Sequence, residues 1–478
     1  MSGMDRRSFL KKSALAGAAF STFAVGSSGR VLGANDRIRV AVAGIHGRGK
    51  SHMNAFAGMD GVEVSHLVDP DSNLFDSRSK MVEDKGGNKP KCVQDIREVL
   101  DDDSVDAVSI ATCNHWHSLM TVWACQAGKD VYVEKPMSHN VFEGRQAVRA
   151  ARKYDRIVQH GTQSRCSGGH ARETAAARSG KYGKLVVAKG YCCKPRWSIG
   201  FNKQAQPPAH LDWNLWLGPA PWQNYHGNYV HYDWHWFWDT GNGDVGNQGV
   251  HEMDKARWAL GETLPKKVWA VGGRFGYVDQ GETPNTQLAV FDYGDKLLVF
   301  ETRGLVGGDS KMGRKVENEY YTTEGMIASG KFHPKNGGDA QPLEGIDVDI
   351  NPGGPFGNFI NAMRERDRSI LNAEIEEGHY SSALCHLGNI SYMLGEQVPF
   401  SEMPTRSFEN DVVEESWETI KKNLEWGVGL DLDKMTCQAG PTLNFNPKRE
   451  KFVGRDADRA NLLLTRPYRE PFVVPEKV

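Results

Sequence analysis

The chain has 478 residues, long enough for two domains or more, with a formal net charge of −2 and 25% charged residues, a balance that excludes the basic excess of a nucleic-acid binder and the acidic runs of a disordered chain. Its eight cysteines are scattered, Cys192-Cys193 is the one close pair and no Cys-x-x-Cys spacing offers a zinc site, so buried thiols and no metal are expected. In the body of the chain no apolar run reaches the roughly 20 residues of a membrane span.

Asp5-Arg6-Arg7-Ser8-Phe9-Leu10-Lys11 resembles a twin-arginine export signal. A weakly apolar stretch follows at 14–25, and Leu32-Gly33-Ala34 offers small residues for cleavage. Residues 1–34 are therefore expected to be a leader outside the fold, and the protein to work in the periplasm or another extracytoplasmic space. A basic amphipathic N-terminal helix is the plainer alternative. The twin-arginine route carries proteins that are already folded, often around a cofactor.

Residues 38–43 form a short apolar, β-branched run that suits a buried parallel strand. Gly44-Ile45-His46-Gly47-Arg48-Gly49 follows, then a helical pattern carrying Met53 and Phe56, then a second apolar run at 62–68 ending in Asp69. Strand, glycine turn, helix, strand and terminal acid is the layout of a dinucleotide-binding βαβ unit. The glycines permit a sharp turn and bring backbone N–H groups to a pyrophosphate, the helix N-terminus adds partial positive charge, and Asp69 accepts hydrogen bonds from a ribose diol. His46 stands where the second glycine of G-x-G-x-x-G belongs, so its side chain must point away from the phosphates. An ordinary glycine turn is the bland alternative.

Residues 94–100 read as a short helix and 105–111 as another buried strand, ending in Thr112-Cys113-Asn114-His115-Trp116-His117 before a helix closed by Gly128. A strand at 130–133 runs into Glu134-Lys135-Pro136. Asn140-Val141-Phe142-Glu143 has the form of a capping box opening a helix to about Tyr154. Residues 157–159 read as a further strand, followed by Gly161-Thr162-Gln163. The alternation predicts one doubly wound domain over 35–161, with polar groups at the strand ends where ligands bind in open α/β sheets.

These elements carry a resemblance. The Gly-Ile-His-Gly-Arg-Gly turn, the strand ending in Asp69, Thr112 to His117 and above all Val131-Tyr132-Val133-Glu134-Lys135-Pro136-Met137-Ser138-His139-Asn140 resemble the Gfo/Idh/MocA family of sugar oxidoreductases, over about residues 37–395. The resemblance implies a Rossmann domain, then an α/β domain with a large open mixed sheet, and a nicotinamide cofactor between them. On its motif positions Gly44, His46, Gly47, Arg48, Asp69, Thr112, Asn114, His117, Glu134, Lys135 and Gln163 are the expected cofactor-binding residues.

The second half fits an α/β substrate and oligomerisation domain over 162–398. Residues 184–191, 267–272, 286–292 and 296–302 alternate in strand fashion, the last two joined by Tyr293-Gly294-Asp295. Thirteen tryptophans is a high count, and many cluster between Trp197 and Trp258; most are expected in the core. Tyr232, Trp234 and Trp236 mix aromatic faces with polar neighbours, as a sugar site needs. Gly243 to Asp254 resembles the family segment in which an acid and a histidine, four apart on one helix face, meet substrate. His251 matches the histidine and Asp254 the acid that follows it, while the family's earlier acid falls on Asn247, a departure. Half of a metal site at His251 is the weaker reading, because no His-x-x-x-His partner lies on that helix. Residues 357–366 and 376–394 read as helices, with His379, His386 and Asn389 as satisfied core polar groups. Residues 399–478, rich in Pro, Asn and charge, read as a tail over the surface, onto a partner subunit if the protein is the expected homo-oligomer.

Oxidising a secondary alcohol needs a base for the hydroxyl proton and groups that hold the carbon near the nicotinamide. Lys135, His251 and Asn247 are the catalytic candidates, with His251 as proton acceptor, Asn247 positioning, and both touching substrate with Tyr232, Trp234 and Trp236. NAD is expected rather than NADP, because Asp69 and Asp71 repel a 2′-phosphate and Arg78 is placed one helix away. The reading is an NAD(P)-dependent oxidoreductase for a sugar, glycoside or polyol whose cofactor stays bound. Two alternatives stand beside it: a glycoside-cleaving enzyme that oxidises a ring hydroxyl transiently and eliminates the leaving group, and a sugar-binding protein without turnover.

Overall fold

The computed structural model describes residues 37–403 and 409–478. The expected leader, residues 1–34, lies outside the described residues. Six short strands, β1 Ile38–Ala43, β2 Val62–Val68, β3 Lys91–Val93, β4 Ala107–Ile110, β5 Asp130–Val133 and β6 Val158–His160, pair in parallel in the order β3-β2-β1-β4-β5-β6. Their Val, Ile and Ala side chains are buried on both faces, which is why these strands read as continuous apolar runs. The order reverses at β1, so a crevice opens beyond its C-terminal end, between the ends of β2 and β4. Helices α1 Gly49–Ala57, α2 Asn114–Gln126 and α3 Val141–Lys153 are among the crossovers. The N-cap half of the expected capping box of α3 is present, with Asn140 Oδ1 accepting from the Glu143 N–H at 2.9 Å, while Glu143 Oε2 reaches one residue further back, to the His139 N–H at 3.3 Å. The helix expected at 94–100 shortens to a single turn at Arg97–Leu100, because the Asp95 carboxylate accepts from the Arg97 N–H and so caps the chain there.

The second domain is a mixed sheet of twelve strands. Its central strands are β7 Leu185–Cys193, β8 Lys267–Gly273, β9 Thr286–Asp292, β10 Leu297–Arg303 and β11 Lys315–Thr322, in the order β11-β7-β10-β9-β8. β7 and β10 are parallel and the other pairs among these five antiparallel. Short strands at 325–342 extend the β11 edge, and strands at 396–399 and 436–453 extend the β8 edge. Helices α4 Val250–Leu260 and α5 Ile375–Met393 cover one face. α5 is buried nearly all round, with Gly378 against the His160 ring of the first domain and Gly388 against Phe291 of the sheet. Its polar residues are bonded: His386 Nε2 lies 2.9 Å from Ser138 Oγ, Asn389 Nδ2 donates to the Asn242 carbonyl at 3.0 Å, and His379 Nε2 lies 2.8 Å from Glu450.

The C-terminal extension corrects the expectation of a surface tail. Its strands complete the sheet, and the helix Asp411–Lys422 packs Val413, Trp417 and Ile420 over the other sheet face against Trp269, Val290 and Val299. The chain end then returns to the first domain, where Phe472 packs edge-on against Trp116 with ring centroids 5.4 Å apart. Gln146 Nε2 donates to the Pro475 carbonyl at 2.7 Å. The apolar residues of this region are spaced for a helix face and for buried strands, and burying them outweighs the polar composition around them.

Candidate active site

The crevice wall is built first by the turn after β1. Gly44 has φ +81°, and a Cβ there would lie 2.5 Å from the Ala111 carbonyl, so only glycine fits. Gly49 opens α1 so close to the turn that a Cβ would sit 2.0 Å from the Gly44 carbonyl oxygen. Nothing lies within 4 Å of a Cβ position at Gly47, which leaves room in front of the loop. At the end of β2, Asp69 Oδ2 accepts from the Ile45 N–H at 2.9 Å and Oδ1 from the Asp71 N–H at 3.0 Å. Burial pushes this carboxyl up to about 6, against the pull of those N–H groups. An open glycine loop at a helix N-terminus beside a buried carboxylate fits a dinucleotide, with its diphosphate at the loop and a ribose diol at Asp69.

At the end of β5, Glu134 Oε1 accepts from Arg48 Nε at 2.7 Å and Gln163 Nε2 at 3.1 Å and lies 3.2 Å from His52 Nε2. Burial would raise this carboxyl, but the His52 hydrogen bond and the charges of His52, Arg48 and Lys135 hold it well below the usual carboxylate range. Lys135 is half-buried beside it, and desolvation lowers its pKa while Glu134 resists. The Lys135 ammonium donates to the backbone carbonyl of Asn247 in the second domain. Helix α4 is preceded by one π-helical turn, Val245–Gly249, of the kind that often marks a functional site. Three residues of α2 and its approach line the same pocket: Thr112, Asn114 and His117. Asn114 Nδ2 donates to Asn242 Oδ1 at 3.1 Å, tying the β4 end to the second domain.

The fold brings Gly44, His46, Gly47, Arg48, Asp69, Thr112, Asn114, His117, Glu134, Lys135, Tyr232, Trp234 and Asn247 onto the lining of one pocket. Gln163, His251 and Trp236 are not on it. Gln163 stands behind Glu134 and positions that carboxylate rather than facing the pocket. Trp236 is 2% exposed with the Arg274 guanidinium 4.8 Å from its ring centroid, so it is a core residue. His251 lies close enough to Lys135 that burial and then the lysine charge push its imidazole down to about 3. A group held there stays neutral near pH 7. Asp254 is fully buried away from this wall, in an ion pair with Arg165 at 2.9 Å. The Asp71 carboxylate is held by His210 at 2.7 Å and His231 at 2.9 Å. Arg78 is not remote, since it donates to the Ile45 carbonyl at 2.9 Å. His46 stacks on His231, ring centroids 4.0 Å apart.

The insertion between β7 and α4 supplies the opposite wall through Leu215, Trp216, His231, Tyr232 and Trp234. Trp213, Trp216, Tyr229 and Phe237 give it a small core of its own. His231 had no sequence signal beyond lying in an aromatic stretch, because its partners Asp71 and His46 come from the other domain. Trp234→Ala is expected to raise the substrate KM with little change in cofactor binding, whereas Trp236→Ala should cost stability, about 3–5 kcal/mol for a buried tryptophan. Steady-state kinetics and thermal melting of the two variants check this. NAD(H) rather than NADP(H) is expected from the denatured protein. Rebinding of NAD to nucleotide-free protein should weaken as pH falls through about 6, where Asp69 gains a proton and loses an acceptor. Titration calorimetry across that range reads it, and an affinity flat with pH would remove Asp69 from the site.

Residues 38–162 match the family profile of Gfo/Idh/MocA oxidoreductases, NAD-binding Rossmann fold, and residues 181–272 match that family's C-terminal alpha/beta domain. A protein named glycosyl hydrolase family 109 protein 2, from Shewanella sp. (strain ANA-3), is 33% identical over 163 residues, 30% of this chain and 36% of that one. A glycosyl hydrolase family 109 protein from Shewanella pealeana is 27% identical over 217 residues, 41% of this chain and 48% of that one. The matched segments thus span between a third and a half of these relatives. Among solved structures, the WlbA dehydrogenase from Bordetella pertussis in complex with NADH and UDP-GlcNAcA superimposes with TM-score 0.55 at 18% identity, covering 74% of this chain and 95% of that one. A levoglucosan dehydrogenase in complex with NADH and levoglucosan gives 0.54 at 17% identity, covering 74% and 96%. At these identities the two structures establish likeness of fold.

Proposed function

We propose that this chain, which belongs to the Gfo/Idh/MocA oxidoreductases and carries their NAD-binding Rossmann fold, oxidises a secondary hydroxyl of a sugar or glycoside with NAD that stays bound and is restored within each turnover. The observation that carries this is the two-sided pocket: the glycine loop and Asp69 form one wall, and the aromatic insertion closes over the other. The twin-arginine pattern at Arg6-Arg7 supports the same reading, since an exported enzyme works where no free nicotinamide pool exists and has to carry its own.

NAD, when bound, supplies a hydride acceptor and, once reduced, a hydride donor. Gly44, Gly47 and the start of α1 hold its diphosphate and Asp69 a ribose diol. Lys135, half-buried and with a lowered pKa, takes the hydroxyl proton; its hydrogen bond to the Asn247 carbonyl aims the amine. Glu134, fixed by Arg48 and His52, keeps a negative charge beside it. The Asn247 amide, on the pocket lining, fixes the hydroxyl. Tyr232 and Trp234 offer aromatic faces to a sugar ring.

Two fates of the oxidised sugar return the hydride. The relatives' name favours the first: the ring ketone acidifies the adjacent C–H, that proton and the glycosidic leaving group are lost together, water adds to the resulting double bond, and the hydride goes back, so that the net change is hydrolysis. The second is reduction of another sugar. The test is nucleotide content. Protein purified without added nucleotide, dialysed and denatured should yield close to one NAD(H) per chain; an empty protein contradicts the proposal.

A further inference from the structure

The turn after β1, the end of β2 and the insertion meet at one point on the adenosine side of the pocket. Asp71 is 3% exposed and presents one carboxylate oxygen to His210 Nδ1 at 2.7 Å and the other to His231 Nε2 at 2.9 Å. His231 in turn lies flat on His46, with the rings 7° from parallel. Backbone bonds join the same segments: the Ser72 N–H donates to the His210 carbonyl at 3.0 Å and the Asp212 N–H to the Pro70 carbonyl at 2.9 Å. His46 and His231 line the pocket beside Asp69 and Pro70. A nucleotide with its ribose at Asp69 is therefore walled in by this contact.

The placement of His46 is informative. At the second-glycine position a side chain adds nothing to phosphate binding, and here it is spent on reaching the insertion. A carboxylate between two imidazoles is a charge-assisted contact when either ring is protonated, and both rings come from the roof while the carboxylate comes from the floor. We infer that His46, Asp71, His210 and His231 form a clasp that fastens the insertion to the Rossmann domain and sets the rate at which NAD(H) leaves. These are positioning residues, and the inference rests on the reading above that the nucleotide stays bound.

The experiment loads the full-length protein with NADH, mixes it with excess NAD, and follows loss of the bound-NADH fluorescence. His231→Ala and Asp71→Asn are expected to release NADH at least tenfold faster than the unaltered protein. His231→Phe, which keeps the stack and loses the carboxylate bond, should fall between. His46→Ala alters an exposed position that folding does not depend on, and should also speed release. Release at the unaltered rate by His46→Ala and by whichever of the other variants keep the parent melting temperature overturns the clasp. If the unaltered protein itself releases NADH within seconds, a rate that rapid mixing still resolves, the retained-cofactor reading fails, and the ratio between variant and parent still reads the clasp.

Discussion

Lys135→Ala is expected to lower turnover by roughly a hundredfold or more, the scale on which a general acid–base group acts. The lysine follows β5 at the crevice, is half-buried, and donates to the Asn247 carbonyl of the second domain. Its loss leaves Glu134 with its Arg48, His52 and Gln163 partners, so the carboxylate is not stranded and the fold should hold. Nucleotide content should stay near that of the parent. In the same variant the His251 imidazole should be easier to protonate, since the lysine charge is the second cause of its depression after burial. Rates measured on one substrate over a pH series check both, and near-normal turnover in Lys135→Ala removes that residue from the mechanism.

Asp254→Ala is expected to cost about 3–5 kcal/mol of stability, the range for breaking a buried ion pair by removing one partner. Asp254 accepts from Arg165 Nε at 2.9 Å and from Ser381 Oγ at 2.6 Å, with Arg257 at 3.9 Å, all buried. Without the carboxylate, two guanidinium groups face each other with Glu377 as the remaining acid. A large drop in melting temperature, with the folded fraction retaining activity, is the expected outcome. Lost turnover with unchanged melting would return Asp254 to the chemistry.

Much of the nucleotide site was legible along the chain because its parts are consecutive. β1, the glycine turn, α1 and β2 are one βαβ unit, so periodicity and glycine spacing placed Gly44, Gly47 and Asp69 together before any long-range contact was known. The Glu134-Lys135 pair was legible for the same reason, at the end of a buried strand. What was not legible depends on contacts between distant segments. His251 and Asp254 sit three apart on one helix, and nothing local says that the second turns inward to Arg165. Tyr232, Trp234 and Trp236 look alike in sequence, yet Arg274 and the surrounding core take the third out of the site. Residues 399–478 read as polar overall, and only the sheet edge at β8 and the exposed apolar face it leaves explain why they become strands and a covering helix.

Turnover in the absence of added nucleotide tests the central claim most directly. Dialysed protein mixed with a panel of chromogenic aryl glycosides should release many equivalents of the aryl leaving group per chain, with no growth of NADH absorbance in solution. Cleavage or oxidation that begins only when NAD is supplied in excess, with NADH accumulating in step with product, would contradict it.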